Sequence, residues 1–334
     1  MKNKVNIIIP AIKLDEELLK CLGKINKISY KDFFVTIVLD YKNKNKLPKF
    51  KFRTNQLIVG KINMSEKRNL AAERFKSTFI AFLDSDAHPT KNWLKLAIKY
   101  LKQEIGDVVG GPSLPFSNQN YSEKICHLSK RSVFVTGYLN FRKYKAKKRY
   151  CDWLESCNLI MRRKFFLKYG GMDVKRYTGE DKEFFERAKR KNHNIKVFYS
   201  PDLFVFHRER RFVGFLLQRS CFGMDFLNLT KFNTGPKGFQ PLLPLLIFTT
   251  FLFILLSKIT IFSKLIILLP TILIINLVIF FEVKKYIKSL KALFFTIITI
   301  NLANIVFALG SIIGILGLRK LLVNKFYSYS RWNN

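Results

Sequence analysis

Beyond Phe239 the character of the chain changes: runs of Leu, Ile, Val and Phe with few charges replace the mixed charged and apolar sequence that precedes them. A helix needs about 20 apolar residues to cross a bilayer core of about 30 Å, so the pattern divides the chain into a water-facing region and a hydrophobic one. Spans are expected at roughly Leu242 to Phe262, Leu265 to Phe281 and Ala292 to Leu318, the first two forming a hairpin and Lys258 lying near enough to an end to snorkel. The expected division is a globular region over 1–210, an amphipathic segment over 211–238 and a hydrophobic anchor of about three helices over 239–334. From Arg211 to Phe232, Phe, Leu and Met alternate with basic residues. That mixture suits either a helix lying in a membrane interface or an ordinary amphipathic core helix.

Lys and Arg outnumber Asp and Glu by 59 to 23, a formal net charge of +36 spread along the globular region. Such a surface attracts polyanions. With hydrophobic spans in the same chain, anionic membrane lipids and phosphate-bearing substrates are the expected partners; no signature of a common nucleic-acid module is present, so nucleic acid is not expected. The cysteines, Cys21, Cys126, Cys151, Cys157 and Cys221, are odd in number and form no regular framework, and Met1 to Pro10 lacks the apolar core and cleavage site of a signal peptide. Buried, reduced thiols in the cytosol are expected. Cys151 and Cys157 with His193 or His207 match no common zinc spacing.

Within the globular region, Val5 to Pro10 is a short apolar run stopped by proline, and Asp15 to Leu22 follows with helical spacing. Phe33 to Leu39 predicts a second strand ending at Asp40, Gln56 to Val59 a third, Ser65 to Phe75 a helix, Thr78 to Leu83 a strand, and Asn92 to Gln103 a helix. Further on, Asn158 to Met161 predicts a strand, Arg163 to Tyr169 a helix, Gly179 to Lys191 another helix, and Ile195 to Tyr199 and Leu203 to Phe206 short strands. Strands alternating with helices imply an α/β fold with a mainly parallel sheet covered on both faces. Ligands collect at the carboxyl ends of such strands. Pro10-Ala11, Asp40 and Asp84-Ser85-Asp86 all sit there and are expected to converge on one cleft.

Asp84-Ser85-Asp86 leaves a buried strand with two carboxylates at alternate positions. Oxygen ligands at that spacing can hold Mg²⁺ or Mn²⁺ while leaving coordination sites open for a diphosphate; the bland reading is turn chemistry. Asp181 and Glu180 open a helix after Gly179. Acidic residues in a first turn are favoured by the helix dipole alone, but a carboxylate there can also serve as a general base.

In order along the chain, Ile7-Ile8-Ile9-Pro10, Lys67-Arg68-Asn69-Leu70-Ala71 and Ala81-Phe82-Leu83-Asp84-Ser85-Asp86 resemble the nucleotide-binding half of family-two inverting glycosyltransferases. Asn158-Leu159-Ile160-Met161-Arg162-Arg163, Gly170-Gly171-Met172-Asp173, Gly179-Glu180-Asp181, Tyr199-Ser200-Pro201 and His207 continue the family's order, so the resemblance covers roughly residues 4 to 225. It implies a GT-A fold, a Rossmann-like nucleotide-sugar-binding mixed sheet, followed here by transmembrane helices. By that resemblance Pro10, Ala11, Asp40 and Arg68 surround the nucleoside, Asp84 and Asp86 face the ribose and the metal-bound diphosphate, His207 faces metal or phosphate, and Asp181 is the general base with Glu180 beside it. Gly110-Gly111-Pro112 and Trp153-x-Glu155-Ser156 are second-rank candidates for the sugar and acceptor pockets, Gly111 because glycine lets backbone approach a ligand. His88 and His193 read as structural. One departure concerns base recognition: the family's acidic and small polar residues after the second strand are replaced by Tyr41-Lys42-Asn43-Lys44.

The expectation is therefore a metal-dependent transferase on the cytoplasmic face of a bacterial inner membrane. It moves one sugar from a nucleotide-sugar donor to a lipid-linked glycan acceptor in cell-envelope polysaccharide assembly. A polyprenyl-phosphate acceptor is the near alternative, and a non-catalytic polyanion-binding scaffold the distant one. A processive synthase is disfavoured because Gln218-Arg219-Ser220-Cys221-Phe222 only partly matches the Gln-x-x-Arg-Trp element it requires. Positive-inside orientation puts the globular region and the Lys284, Lys285, Lys288 and Lys291 loop on the same side. A third span would then carry Arg319, Lys320, Lys325 and Arg331 across, so one span is open to a re-entrant or interfacial reading.

Overall fold

The computed structural model describes residues 4–42, 47–176, 178–225 and 242–319. Asn43 and Lys44 after the second strand, the end of the amphipathic segment from 226 onward, and Lys320, Lys325 and Arg331 lie outside the described residues. The chain divides into two compact units, residues 1–116 with 141–208, and residues 117–140 with 209–334. Periodicity gave no sign that 117–140 leaves the globular unit, because its elements are ordinary short helices.

The first unit begins β1 (Val5–Pro10), α1 (Glu16–Ile25), β2 (Phe33–Leu39), β3 (Arg53–Ile58), α2 (Met64–Arg74), β4 (Phe79–Leu83), β5 (Ala87–Pro89), α3 (Trp93–Lys102), β6 (Val108–Gly110) and β7 (Ser113–Leu114). Helices α4 (Tyr121–Lys130) and α5 (Val133–Thr136) belong to the second unit, after which β8 (Arg149–Tyr150), β9 (Asn158–Arg162), α6 (Arg163–Lys168), α7 (Glu180–Lys191), β10 (Val197–Tyr199) and β11 (Val205–His207) complete the first. Among the described residues the strands form an eight-stranded sheet ordered β3-β2-β1-β4-β9-β6-β10-β8 and a small sheet ordered β5-β11-β7.

Strands β1, β2 and β4 are buried along their whole length, which is why they read as continuous apolar runs rather than alternating ones. Asn6 sits in the middle of β1 at no cost in unmet hydrogen bonds: its Oδ1 accepts from Thr36 Oγ1 at 2.7 Å and its Nδ2 donates to the Ala71 carbonyl. Helix α1 is capped by Asp15, which accepts from the Leu18 N–H, and α2 by Asn63, which accepts from the Glu66 N–H. Leu18, Cys21, Leu22 and Ile25 of α1 and Trp93, Leu94, Ala97 and Leu101 of α3 fill the core against the sheet.

The expected parallel order holds for β3, β2, β1 and β4, whereas β9 enters antiparallel between β4 and β6. Its register sets Asn158 opposite Leu83, bringing Ser156 and Cys157 alongside the loop that leaves β4. In the small sheet β11 runs antiparallel to β5 with His207 opposite Ala87, directly after Asp86.

The second unit is helical. Besides α4 and α5 it contains α8 (Phe212–Met224), α9 (Leu242–Leu256), α10 (Ile261–Val283) and α11 (Leu290–Ile315). Helix α8 packs on α11 rather than standing apart: Phe215, Cys221 and Met224 are buried, and Gly223, Gly310 and Gly314 bring the two backbones so close that a Cβ would strike the facing helix. At 1.5 Å per residue the 23 residues of α10 and 26 of α11 reach about 35 and 39 Å, so among the described residues two helices are long and apolar enough to cross a bilayer. Of the first expected span, Leu242 to Phe262, the described part is a helix of 15 residues, about 22 Å long, that ends at Leu256; the residues before Leu242 lie outside the described ones. Asn301 Nδ2 donates to Asn276 Oδ1 at 2.9 Å, joining α11 to α10.

Candidate active site

The loop from β4 turns sharply, with the Ala87 N–H donating to the Asp84 carbonyl. This turn and the β11 register aim both aspartates at one imidazole: His207 Nε2 lies 3.5 Å from Asp84 Oδ2 and 3.3 Å from Asp86 Oδ1. Two carboxylates and an imidazole converging at half-buried positions fit a hard or borderline divalent cation, Mg²⁺ or Mn²⁺. Burial by itself would raise the Asp84 carboxyl, but the His207 hydrogen bond and the Arg68 charge outweigh it and hold it down at about 2.

Arg68, buried on α2, is the hub of the site. Its Nη2 donates to Asp84 Oδ1 at 2.8 Å and its Nη1 to Glu180 Oε1 at 3.4 Å. Asn69 then fixes the far side, accepting from the Met172 N–H at 2.9 Å and donating to the Met172 carbonyl at 2.8 Å. Gly171 has φ +66° and lies so near the Asn69 amide that a Cβ would sit 2.6 Å from its Oδ1, so glycine is required by both backbone and space. Arg187 of α7 clasps the same loop through the Tyr169 and Gly171 carbonyls and pairs with Glu183. Gly179, left-handed at φ 71°, then starts α7 with Glu180 and Asp181 directed into the site.

Asp181 Oδ2 accepts from the Ser156 N–H at 3.1 Å. Its Oδ1 is shut off from solvent with no hydrogen-bond partner among the described residues. Burial, followed by the neighbouring Glu180 charge, pushes the Asp181 carboxyl up to about 7, and burial also raises Glu180. That places Asp181 where a general base working near neutral pH needs to be.

Pro10 ends β1 and Ala11 follows it, its N–H donating to the Val38 carbonyl. Lys67, completely buried, donates to the Ala11 carbonyl at 2.6 Å and pairs with Asp40. In the sequence Lys67 stands out only as a member of the Lys67-Arg68-Asn69-Leu70-Ala71 motif, and its inward position on α2 is what shows its pairing with Asp40. Gly111 packs against the Ser200 and Leu203 backbone, leaving no room for a Cβ, and its carbonyl accepts from Asn158 Nδ2 at 3.1 Å. This close packing is sufficient reason for glycine at 111. Asn158 also accepts from Trp93 Nε1 at 2.8 Å and donates to the Leu203 carbonyl at 2.7 Å, tying β9 to α3 and to the turn before β11.

Two further groups were missed or under-read. Glu155, next to Ser156, accepts from Lys143 at 2.7 Å, with Arg142 near its other oxygen and stacked on Trp153. Cys157 is buried, and its Sγ, the Asp84 carboxylate and the His207 imidazole bring ligand atoms within 4.8 Å of one another. These residues belong to no common zinc spacing because they meet only through sheet register.

A Rossmann-like mixed sheet with paired aspartates at a strand end, a facing histidine and a raised carboxylate at a helix start defines a GT-A glycosyltransferase, an enzyme of nucleotide-sugar chemistry. Residues 6–170 match glycosyl transferase family 2, so the chain carries a domain of that family over those residues. Among solved structures, the chain is similar to the mannosyltransferase PcManGT from Pyrobaculum calidifontis in complex with GDP-Man and Mn²⁺, at 14% identity and TM-score 0.59 over 92% of this chain and 86% of that one. Staphylococcus aureus TarS matches at 16% identity and TM-score 0.42 over 76% of this chain, which spans 44% of the TarS chain. GalNAc-T7 with UDP, GalNAc and Mn²⁺ matches at 12% identity and TM-score 0.46 over 62% of this chain and 43% of that one. No curated protein matches the chain in sequence.

Proposed function

We propose that the chain transfers one sugar, with inversion, from a nucleotide-sugar donor to a phosphate-bearing acceptor at a membrane, a lipid-linked glycan of the cell envelope. The observation that carries this reading is Asp181: a carboxylate held by the Ser156 N–H, with its other oxygen unpartnered and its affinity for a proton raised to about 7. In a single displacement the carboxylate takes the acceptor hydroxyl proton as the hydroxyl attacks the anomeric carbon. Arg68 holds Glu180 and Asp84 in place around it, and Pro10, Ala11 and Asp40 border the nucleoside.

Asp84, Asp86 and His207 would hold Mg²⁺ or Mn²⁺, which supplies positive charge against the departing nucleoside diphosphate. The Mn²⁺ and GDP-Man of the Pyrobaculum mannosyltransferase complex support the same pairing here.

The phosphate-bearing acceptor is supported by the segment following Phe141. Six of the eight residues from Arg142 to Arg149 are cationic. Lys145, Lys147, Lys148 and Arg149 are exposed, while Lys143 reaches back to Glu155 next to Ser156, the residue that holds the base. Apolar side chains left exposed along α10, among them Ile266, Leu269, Leu273 and Phe281, support membrane attachment with the basic region on the cytoplasmic side.

Purified full-length protein in detergent, offered a panel of nucleotide sugars with and without Mn²⁺, should release nucleoside diphosphate only with metal and acceptor present. Turnover indifferent to Asp84→Ala and Asp86→Ala would sink the reading.

A further inference from the structure

Cys157 has no part in the chemistry above, yet it is buried close to Asp84 and His207. Its Sγ, Asp84 Oδ2 and His207 Nε2 form a mixed sulfur, oxygen and nitrogen triad, with the imidazole and carboxylate already 3.5 Å apart and all ligand atoms within 4.8 Å. Bonds of about 2.3 Å to sulfur and about 2.0 Å to nitrogen and oxygen set tetrahedral ligands roughly 3.3 to 3.6 Å apart. The histidine–aspartate edge of such a tetrahedron is therefore present, and only the thiol side needs to close. A thiolate favours Zn²⁺ and its borderline relatives, whereas Mg²⁺ and Mn²⁺ favour oxygen.

We infer that Asp84, Cys157 and His207 form a second, mutually exclusive cation site that binds Zn²⁺-class metals and thereby blocks loading of the hard cation. The two modes share Asp84 and His207 and differ in the third ligand, Asp86 oxygen for the hard cation and Cys157 sulfur for the soft one. Zinc binding forms the Sγ–metal bond as the thiol proton leaves to solvent, so no oxidant or reductant is involved. The fourth position stays open, as in zinc sites with three protein ligands. Zinc is then an inhibitor of the enzyme through its own metal residues rather than through the surface. The inference rests on the cation-facing geometry proposed for Asp84 and His207, and not on the identity of donor or acceptor.

Co²⁺ is the probe, because thiolate coordination gives it a near-ultraviolet sulfur-to-metal charge-transfer band. Titrating the full-length protein in detergent with Co²⁺, without donor or acceptor, should produce that band to saturation, and Zn²⁺ should abolish it. Cys157→Ser should lose the band and weaken Zn²⁺ binding in chelator competition by about tenfold or more; Cys126→Ser should keep both. No band in the parent protein, or a band that survives Cys157→Ser, overturns the inference. Should Cys157→Ser fail to fold, alkylation of the parent protein decides: Zn²⁺ must protect Cys157 from iodoacetamide as read by mass spectrometry, and equal labelling with and without Zn²⁺ overturns the site. Metal-dependent sugar turnover with no charge-transfer band removes the soft site and leaves the transferase reading standing; a band without turnover does the reverse.

Discussion

Arg68 and Glu180 are 112 positions apart in the chain and 3.4 Å apart in the structure, and the same guanidinium holds Asp84 at 2.8 Å. One planar group thus joins the aspartate at the end of β4 to the carboxylate beside Asp181. Lysine has the charge but not the fork. Arg68→Lys is expected to lower kcat by about 100-fold, the scale at which small misplacements act. Steady-state kinetics on nucleoside diphosphate release measures this, and an unchanged kcat would take Arg68 out of the machinery.

Replacing Asp181 by asparagine keeps its shape and removes the proposed base. Turnover should fall by about 10² to 10⁴-fold, with nucleoside diphosphate affinity unchanged by calorimetry. Retained turnover would show that the acceptor is already an anion, such as a polyprenyl phosphate, and needs no base.

The raised Asp181 carboxyl also fixes the direction of two pH effects. As the proposed base, Asp181 acts in its ionised form, so kcat should climb with pH and level off above about 7. Stability runs the other way: a carboxyl that binds its proton more tightly folded than unfolded stabilises the fold below its unfolded value near 3.9 and loses that contribution as pH rises through about 7. Asp181→Asn should therefore unfold at a higher temperature than the parent at pH 8. A rate profile flat from pH 5 to 8 would contradict the assignment.

Lys67 and Asp40 form a pair with almost no exposure. Removing one partner leaves a buried charge, so Lys67→Met should cost about 3–5 kcal/mol in denaturant unfolding. Adding Asp40→Asn should recover part of it and weaken donor binding. Simple additivity of the two changes would mean that they do not interact.

Lys145, Lys147 and Arg149 are exposed cations on the segment leading to Glu155. Their combined change to alanine should raise the acceptor KM by about tenfold or more, on roughly 1 kcal/mol per cation at an anionic surface. The donor KM should not move, and the salt dependence of the acceptor KM should become shallower. A donor KM that rises in parallel would reassign the segment.

Much of the first unit was legible because buried parallel strands leave unmistakable apolar runs. Val5 to Pro10, Phe33 to Leu39 and Phe79 to Leu83 could hardly be anything else, and polar residues at their carboxyl ends mark where a ligand site forms. The order of the motifs likewise carried the family. The helical segment 117–140 was not legible as part of the other unit, since amphipathic spacing says that a face is buried and not what buries it. Nor was the break between α9 and α10 at 257–260 apparent, since Ile259, Ile261 and Phe262 keep the expected span apolar past Leu256, where α9 ends.

By itself the sequence determined the two regimes, the α/β core and the succession of chemically able residues, because these depend on hydrophobic period and on local turn chemistry. Tertiary structure alone decided that β9 runs antiparallel beside β4, that His207 faces Asp84 and Asp86 while Cys157 lies close by, and that Lys67 points inward to Asp40. Those are relations between residues dozens to more than a hundred positions apart. They are set by strand register and helix rotation, which local sequence does not encode.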